Sequence, residues 1–380
     1  MLTLPEQVGQ LLIVGLDGSG WDRELETFLR GIRPGGVIFF QRNIQSAPDF
    51  RRLVESVRQT LESPLLALDL EGGLVDRLRD VLAPLPAVRD VARAGLGKTM
   101  GRIAGRELAA FSLNVDFAPV LDLGVLESRK ILGSRTAGDS PDEVIRFARS
   151  FLEGLAESGV IGCGKHFPGL GSGQKDSHKE LPSVEKDERE MWQVDLQPFR
   201  ALASTLPIIM VAHVYCPGLE RAFAPERDQA SRPIPATLSS AIVSGLLKGR
   251  MGFHGLVLSD DLEMGGVLEG RSMEEAATAA LKAGCDMLLL CGPAANTRKI
   301  FEALLRKANA DPGFRSVVEQ AAQKVTVVKN KFGIMRRQGI GNREQGTVQL
   351  PDFDALRREI NDFSAAVQQR LESNTLREES

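Results

Sequence analysis

Short apolar runs of strand length recur along the chain and are separated by segments with a helical pattern. In the separating segments, such as residues 48–61, 141–158 and 273–283, apolar residues are spaced three and four apart, which predicts amphipathic helices. The runs themselves are rich in Val, Ile and Leu, as in strands that are buried on both faces. The predicted strands are residues 11–15, 36–40, 65–70, 114–119, 160–166, 208–214, 255–260 and 287–291.

The alternation of strands and helices predicts an α/β fold of the (β/α)8 TIM-barrel type, because parallel strands need helical crossovers between them. A doubly wound open sheet has the same alternation, so periodicity alone leaves it as the alternative. A chain of 380 residues is long enough for one barrel with an extension. We therefore predict a barrel domain over residues 1–332 and an extension over residues 333–380.

The region after the last predicted strand has three parts. A helical pattern continues to about residue 332, and residues 333–347 are polar and rich in Gly and Arg, which predicts a linker. Apolar residues then recur at helical spacing, at Leu350, Phe353, Leu356, Ile360, Phe363, Val367 and Leu371. This pattern predicts an amphipathic helix that packs against the outside of the barrel, with docking to a partner or a second copy as the alternative. Residues 374–380 are predicted to be a disordered tail.

The composition is that of an ordinary globular protein, with 43% hydrophobic and 26% charged residues. A net charge of −3 gives no electrostatic reason to expect binding to nucleic acid or to acidic membranes. The four cysteines have no C-x-x-C spacing, which favours buried thiols in a reducing compartment. Residues 1–6 lack the features of a signal peptide, and no apolar stretch approaches the roughly 20 residues that span a bilayer. We expect a cytoplasmic protein that is a monomer or a weak homodimer.

Polar side chains follow several of the predicted strands at the point where each strand ends. In a (β/α)8 barrel the carboxyl ends of all strands meet at one rim, where active sites lie. A single Asp or His there is more often a cap or a loop hydrogen bond than a catalyst, but repetition at several strand ends predicts a common site. These residues are Gln41, Arg42, Asp69, Glu71, Asp122, Lys165, His166, His213, Asp260 and Asp261.

Residues 164–178 form the segment that is densest in chemical groups. Lys165 and His166 end a predicted strand, and a glycine-rich loop follows them. Asp176 and His178 are two residues apart, so an extended backbone would place both side chains on one face. A carboxylate bonded to one imidazole nitrogen fixes the tautomer and makes a general acid/base pair. The alternative is a solvated loop in which the Asp-x-His spacing is accidental.

The same segment does not match the motifs of cofactor or metal sites. Its glycines fit neither G-x-x-x-x-G-K-[ST] nor G-x-G-x-x-G, which argues against a nucleotide. The chain also lacks H-E-x-x-H and paired cysteines. We therefore expect neither a cofactor nor a bound metal ion.

Several motifs together resemble glycoside hydrolase family 3, in the branch of single-domain bacterial β-N-acetylglucosaminidases that act in cell-wall recycling. The most specific are K-H-F-P-G at residues 165–169 with D-S-H at 176–178, and S-D-D-L at 259–262. The resemblance covers residues 7–292. Further matches, in the order that the family has them, lie at residues 35–40, 69–73, 114–120, 212–213 and 235–239.

The resemblance implies a retaining exo-β-N-acetylglucosaminidase that hydrolyses terminal β-linked N-acetylglucosamine (GlcNAc) by double displacement. It assigns Asp260 as the nucleophile that forms a covalent glycosyl-enzyme intermediate. It assigns His178 as the general acid/base and Asp176 as the partner of that imidazole. The implied substrates are GlcNAc-containing muropeptides or disaccharides derived from peptidoglycan.

The resemblance also implies a set of sugar-binding residues. Charge-assisted hydrogen bonds from Asp69 and Lys165 would hold the hydroxyls of the pyranose ring. His213 and Met264 are expected to form walls, and for His213 a buried structural hydrogen bond is an equal alternative. The family's sugar-binding positions correspond to Asp69, Arg77, Arg135, Lys165 and His166.

The chain departs from the family pattern at a few positions. Leu70 and Leu74 stand where the family has polar residues, which is expected to remove two polar groups near the sugar and to change the sugar and aglycone preference. Arg135 is followed by T-A-G where the family has S-F-G. A phosphorylase or a β-glucosidase of the same family is one alternative function, and a catalytically decayed sugar-binding barrel is another.

Overall fold

The structure is a computed structural model that describes residues 2–125, 132–170, 181–226, 232–334 and 352–378. Its strands are β1 (Leu12–Gly15), β2 (Gly36–Phe39), β3 (Leu65–Leu68), β4 (Leu70–Gly72), β5 (Val75–Asp76), β6 (Val115–Asp116), β7 (Ile161–Phe167), β8 (Ile208–Val211), β9 (Leu256–Asp261) and β10 (Met287–Leu290). Eight of them close a parallel barrel in the order β1-β10-β9-β8-β7-β6-β3-β2. The other two, β4 and β5, form an antiparallel hairpin after β3.

Helices surround the barrel. The α-helices of the described residues are α1 (Leu4–Gln10), α2 (Arg23–Ile32), α3 (Ala47–Thr60), α4 (Val88–Ala94), α5 (Gly97–Ala110), α6 (Pro141–Ala156), α7 (Glu188–Gln193), α8 (Gln197–Leu202), α9 (Pro217–Phe223), α10 (Gly265–Leu268), α11 (Met273–Ala283), α12 (Ala294–Ala310), α13 (Pro312–Lys331) and α14 (Phe353–Glu378). Short 3₁₀ segments lie at Gln41–Asn43, Gly133–Arg135 and Ala236–Leu238, and Ala241–Arg250 is π-helical.

The predicted (β/α)8 barrel is confirmed, and each predicted strand corresponds to one barrel strand. Every residue of β1, β2, β3 and β10 is buried, because side chains fill the barrel interior on one face and contact helices on the other. The predicted run 114–119 shortens to Val115–Asp116. Pro119 has no N–H to donate to a neighbouring strand, which limits pairing at that end.

Local sequence determines where the helices begin. The hydroxyl of Ser140 accepts the backbone N–H of Glu143, whose carboxylate in turn accepts the N–H of Ser140. Ser272 and Glu275 form the same reciprocal cap at the start of α11. These caps satisfy N–H groups that have no acceptor within the helix. The structure confirms the predicted helices as α3, α6 and α11.

Helices α5 and α6 pack closely because glycines face the neighbouring backbone where the helices meet. A Cβ atom at Gly101 would lie 2.0 Å from the carbonyl oxygen of Phe151, and one at Gly154 would lie 2.1 Å from that of Lys98. Neither position has room for a side chain. Because α5 leads into β6 and α6 leads into β7, this contact fixes two neighbouring strands of the barrel.

The C-terminal helix α14 packs against α4 and α5 on the outside of the barrel, as predicted. The Phe353 ring stacks on Phe111 with 5.2 Å between the ring centroids. The Nη2 atom of Arg357 donates to the Val81 carbonyl oxygen at 2.8 Å. The buried side chains of the helix belong to the predicted apolar stripe, and they are Leu356, Ile360, Phe363 and Val367.

The structure tests the predicted tail of the C-terminal extension but not most of its predicted linker. Helix α14 continues to Glu378, so the prediction of a disordered tail is wrong for residues 374–378, which extend the same helix. Most of the predicted linker, residues 335–347, lies outside the described residues. Within the described ranges, no helix combines the length and the apolar composition needed to cross a bilayer.

Lys329 is an ionisable side chain in the interior. It belongs to α13, is 1% exposed, and donates from Nζ to the Gln10 side-chain oxygen at 2.8 Å. Burial lowers the pKa of Lys329 to about 7, and the negative charge of Glu62 opposes this only in part. In an unfolded chain a lysine amine has a pKa of about 10.4. Unfolding between these two values takes up a proton, so the buried amine destabilises the folded state near neutral pH.

We expect Lys329→Met to raise the free energy of unfolding by about 1–3 kcal/mol at pH 7, because methionine fills the site without a buried amine. Wild-type stability should rise between about pH 7 and 10 relative to that of the variant, since the folded pKa lies below the unfolded one. Urea unfolding at several pH values measures this difference. The exposed Lys331→Met is the control. A gain that stays constant up to pH 10 would contradict the prediction.

Candidate active site

A cavity of about 490 Å³ opens at the carboxyl ends of the barrel strands. Its floor consists of the buried apolar side chains Ile38, Phe117, Met210 and Leu289. Strands from widely separated parts of the sequence bring most of the predicted site residues to its wall. These residues are Asp69, Arg77, Arg135, Lys165, His166, Asp260 and Met264.

Lys165 lies at the centre of a buried network of charges. Its Nζ lies 2.8 Å from Asp69 Oδ1 and 2.6 Å from Glu71 Oε1, and the residue is only 3% exposed. Arg135 donates to both oxygens of the Glu71 carboxylate through two hydrogen bonds, of 2.7 and 2.9 Å. Burial alone would raise the pKa of the Glu71 carboxyl, but Lys165 and Arg135 lower it to about 2. Burial alone would lower the pKa of Lys165, and the two carboxylates raise it above its ordinary value.

The hairpin β4–β5 contains Glu71 and directly follows Asp69, and buried carboxylates hold its backbone and that of the turn after it through hydrogen bonds. Asp116 Oδ1 accepts the backbone N–H of Leu70 at 3.0 Å. The Asp76 carboxylate accepts two further backbone N–H groups from the turn that follows β5. Arg77 lies beside the hairpin with its Nη2 3.6 Å from Asp69 Oδ2. The hairpin therefore holds Asp69 and Arg77 against the same cavity.

Asp260 is the penultimate residue of β9 and lines the cavity as a half-buried side chain. Burial alone would raise the pKa of Asp260, but the coulombic effects of His166 and His213, with the 2.8 Å hydrogen bond from the Asp261 N–H, lower it. The carboxylate is therefore ionised at neutral pH, which is the nucleophilic form. At the next residue, burial raises the pKa of Asp261 to about 6, and the charge of Asp260 adds to this.

His166 is held by a carboxylate behind the cavity wall. The Asp122 Oδ2 lies 2.7 Å from His166 Nδ1 and also accepts the backbone N–H of His166 at 3.1 Å. The other oxygen, Oδ1, accepts the N–H of Leu170 at 2.6 Å. Asp122 is 1% exposed, so its charge is compensated by these contacts inside the protein.

His213 does not line the cavity in the described structure. It is fully buried, with Nδ1 2.9 Å from the Thr237 hydroxyl and Nε2 2.8 Å from the Asp261 carbonyl oxygen. This geometry corresponds to the alternative of a structural hydrogen bond, and it differs from the expected wall position. Because the carbonyl of Asp261 follows Asp260, His213 supports the strand end from behind.

Two of the sequence expectations concern leucines in the hairpin. Leu70 is 0% exposed and faces the core, so the expected loss of a polar group beside the sugar is wrong at this position. Leu74 is 71% exposed at the tip of the hairpin and does not line the cavity. Asp176 and His178 lie outside the described residues, so their assignment remains a prediction.

Sequence reasoning placed Glu71, Asp122 and Asp261 among the strand-end residues that should form a common site, but it gave them no individual role. Glu71 and Asp261 line the cavity, and Asp122 holds His166. The spacing of Glu71 from Asp69 was a usable signal, because alternate residues of an extended segment share a face. Phe40 and Cys291 also line the cavity, and an apolar or thiol side chain after a strand has no comparable sequence signal.

We expect Glu71→Gln to lower the free energy of unfolding by about 3–5 kcal/mol at pH 7, because it leaves two buried cations with one carboxylate fewer. The pKa of about 2 lies below the ordinary value of 4.5, so this contribution is complete above pH 4.5 and is lost as the pH falls towards 2. Urea unfolding at pH 7 and pH 3 measures the difference, which should narrow in acid.

The exposed pair Glu26–Arg30 offers the matched control, since Glu26→Gln removes a carboxylate from an ion pair on a helix surface. We expect that change to cost less than about 0.5 kcal/mol. Equal effects of the two substitutions would show that the buried network contributes no more than a surface ion pair.

Residues 3–328 match the family model described as the glycosyl hydrolase family 3 N terminal domain. A beta-hexosaminidase of Alkalilimnicola ehrlichii is 40% identical over 291 residues, which are 74% of this chain and 80% of that protein. A beta-hexosaminidase of Tolumonas auensis is 37% identical over 301 residues, which are 77% of this chain and 86% of that protein.

Solved structures of beta-N-acetylglucosaminidases are also similar to this chain. A family 3 beta-N-acetylglucosaminidase from Paenibacillus sp. has a TM-score of 0.84 at 28% identity, over 97% of this chain and 69% of that chain. The beta-N-acetylglucosaminidase from Thermotoga maritima has a TM-score of 0.73 at 27% identity, over 86% and 69% of the two chains. With a family match that runs through the whole barrel and its cavity, the chain belongs to glycosyl hydrolase family 3.

Proposed function

We propose that this glycoside hydrolase is a retaining exo-β-N-acetylglucosaminidase that removes terminal β-linked GlcNAc. The observation that carries the proposal is the position of Asp260: an ionised carboxylate in the wall of a 490 Å³ cavity, facing a preorganised network of charged hydrogen-bonding groups. A nucleophile and polar groups for sugar hydroxyls in one cavity are what glycoside hydrolysis needs.

In the proposed first step, a carboxylate oxygen of Asp260 attacks the anomeric carbon and the bond from that carbon to the aglycone oxygen breaks. The imidazolium of His178 gives its proton to the departing oxygen, and Asp176 stabilises that imidazole. In the second step, the neutral imidazole takes a proton from water as the water displaces Asp260. Two displacements at one carbon retain the β configuration.

The cavity supports cleavage from a chain end. Its floor is closed by Ile38, Phe117, Met210 and Leu289, each no more than 3% exposed. A sugar chain therefore cannot continue through the barrel beyond the sugar that is bound in the cavity. Charged groups of the wall, with Lys165 and Asp69 central among them, are proposed to bind the hydroxyls of this terminal sugar.

Two lines of support favour GlcNAc as that sugar. The curated relatives at 40% and 37% identity are named beta-hexosaminidases. The structures from Paenibacillus and Thermotoga are described as beta-N-acetylglucosaminidases. The motif resemblance adds the aglycone, since its branch acts on peptidoglycan fragments. We propose GlcNAc-containing disaccharides or muropeptides in the cytoplasm as the substrates.

We expect the wild type to release p-nitrophenol from the β-GlcNAc glycoside and Asp260→Asn to lower kcat/KM by at least about 10³-fold, because an amide is not a nucleophile. NMR of the first product should show the β anomer. Asp286→Asn is the control, because Asp286 is buried and bonded to Lys248 but immediately precedes β10 and does not line the cavity. Efficient hydrolysis of the β-glucoside with none of the β-GlcNAc glycoside would contradict the substrate proposal.

We expect His178→Ala to slow hydrolysis of GlcNAc–sugar linkages by about 10²–10⁴-fold and of the p-nitrophenyl glycoside by much less in the first step. A sugar alkoxide needs a proton to depart, whereas p-nitrophenolate does not. Pre-steady-state release of the aglycone from both substrates measures that step. An equal fall in the first-step rate for both leaving groups would show that His178 is not the general acid.

A further inference from the structure

We propose that Asp122 is a positioning residue that links the imidazole of His166 to the point where the chain leaves the barrel towards His178. This inference rests on the proposed function and adds a residue to it. Asp122 has no place among the sugar-binding or catalytic residues assigned above, and it does not line the cavity. Its effect must therefore pass through the groups that it holds.

The two oxygens of Asp122 have different partners. Oδ2 contacts the ring and the backbone N–H of His166, and Oδ1 accepts the N–H of Leu170. An ionised carboxylate only accepts hydrogen bonds, so the Nδ1 atom of His166 carries a proton and donates it to Oδ2. The second ring nitrogen, Nε2, is then the one available to the cavity that His166 lines.

The ring so oriented affects the proposed nucleophile. Burial has the largest effect on the pKa of Asp260 and raises it. The next largest effect is the charge interaction with His166, which lowers that pKa. The charge of Asp122 also acts on Arg135 and Asp195. A carboxylate at position 122 thus helps to keep a positively polarised imidazole beside the anion that must attack the sugar.

The second contact concerns the chain that follows. Leu170 immediately precedes the segment 171–180, which contains Asp176 and His178. Its N–H is bound at 2.6 Å to the same carboxylate that holds His166. One buried side chain therefore fixes both the cavity imidazole and the residue from which the acid/base segment starts.

Asp122→Asn tests this coupling with almost no change in volume. An amide has a single oxygen, so it cannot accept hydrogen bonds at both ends, and one of the two contacts is lost whichever way it turns. We expect kcat/KM for the β-GlcNAc glycoside to fall about 10–100-fold. Asp286→Asn removes a different buried carboxylate and should change kcat/KM by less than about two-fold.

Two further measurements separate positioning from a general effect on folding. Loss of the Leu170 contact should slow first-step cleavage of a sugar aglycone more than that of p-nitrophenol, because only the former needs the acid. Loss of the His166 contact should change the tautomer of that ring, which ¹⁵N NMR of histidine-labelled protein reports. The chain has four histidines, and His166→Asn identifies the signal.

The wild type alone also tests the proposal, whether or not Asp122→Asn folds. Its His166 signal should show the proton on Nδ1, and a proton on Nε2 with Nδ1 bare would overturn the inference. So would a folded Asp122→Asn protein with kcat/KM within two-fold of Asp286→Asn. Failure of the proposed function gives a different result, because the wild type would then not hydrolyse β-GlcNAc glycosides. The Asp122→Asn protein would in that case be assayed with the β-glycoside that the wild type hydrolyses.

Discussion

The buried charge of Lys165 is the constraint on which the cavity depends. An ammonium group that is 3% exposed is tolerable only with anions in contact, and Asp69 and Glu71, which follow β3, supply them. The guanidinium of Arg135 is a second cation in contact with the Glu71 carboxylate. The groups proposed to bind a sugar are thus held in place by one another before any sugar arrives, which is the condition for electrostatic preorganisation.

Much of the barrel could be predicted from sequence, because short continuous apolar runs that alternate with amphipathic helices are typical of parallel strands buried on both faces. The position of the site followed from the same pattern. Side chains such as Asp69, Lys165 and Asp260 come directly after strands or at their ends, and parallel strands all end at one rim. The structure gathers these three around one cavity, although nearly two hundred residues separate the first from the last.

Position at a strand end does not by itself predict the direction of an individual side chain. Leu70 follows Asp69 directly, yet one faces the core and the other faces the cavity, since adjacent residues of an extended chain point to opposite sides. His213 lies two residues after β8 and His166 is the penultimate residue of β7, but the two ring nitrogens of His213 contact Thr237 and a backbone carbonyl. The motif resemblance assigned roles to positions, whereas these contacts depend on tertiary packing.

The attachment of α14 links the far end of the chain to the proposed sugar site. Arg357 of α14 donates a hydrogen bond to the carbonyl oxygen of Val81, which lies in the turn after Arg77. Helix α14 also packs against α4, and Arg89 of α4 donates a hydrogen bond to Thr136, the residue next to Arg135. Both routes end at cations of the cavity wall. Helix α14 therefore supports, from outside the barrel, the segments that place two cations in the cavity wall, although none of its described residues lines the cavity.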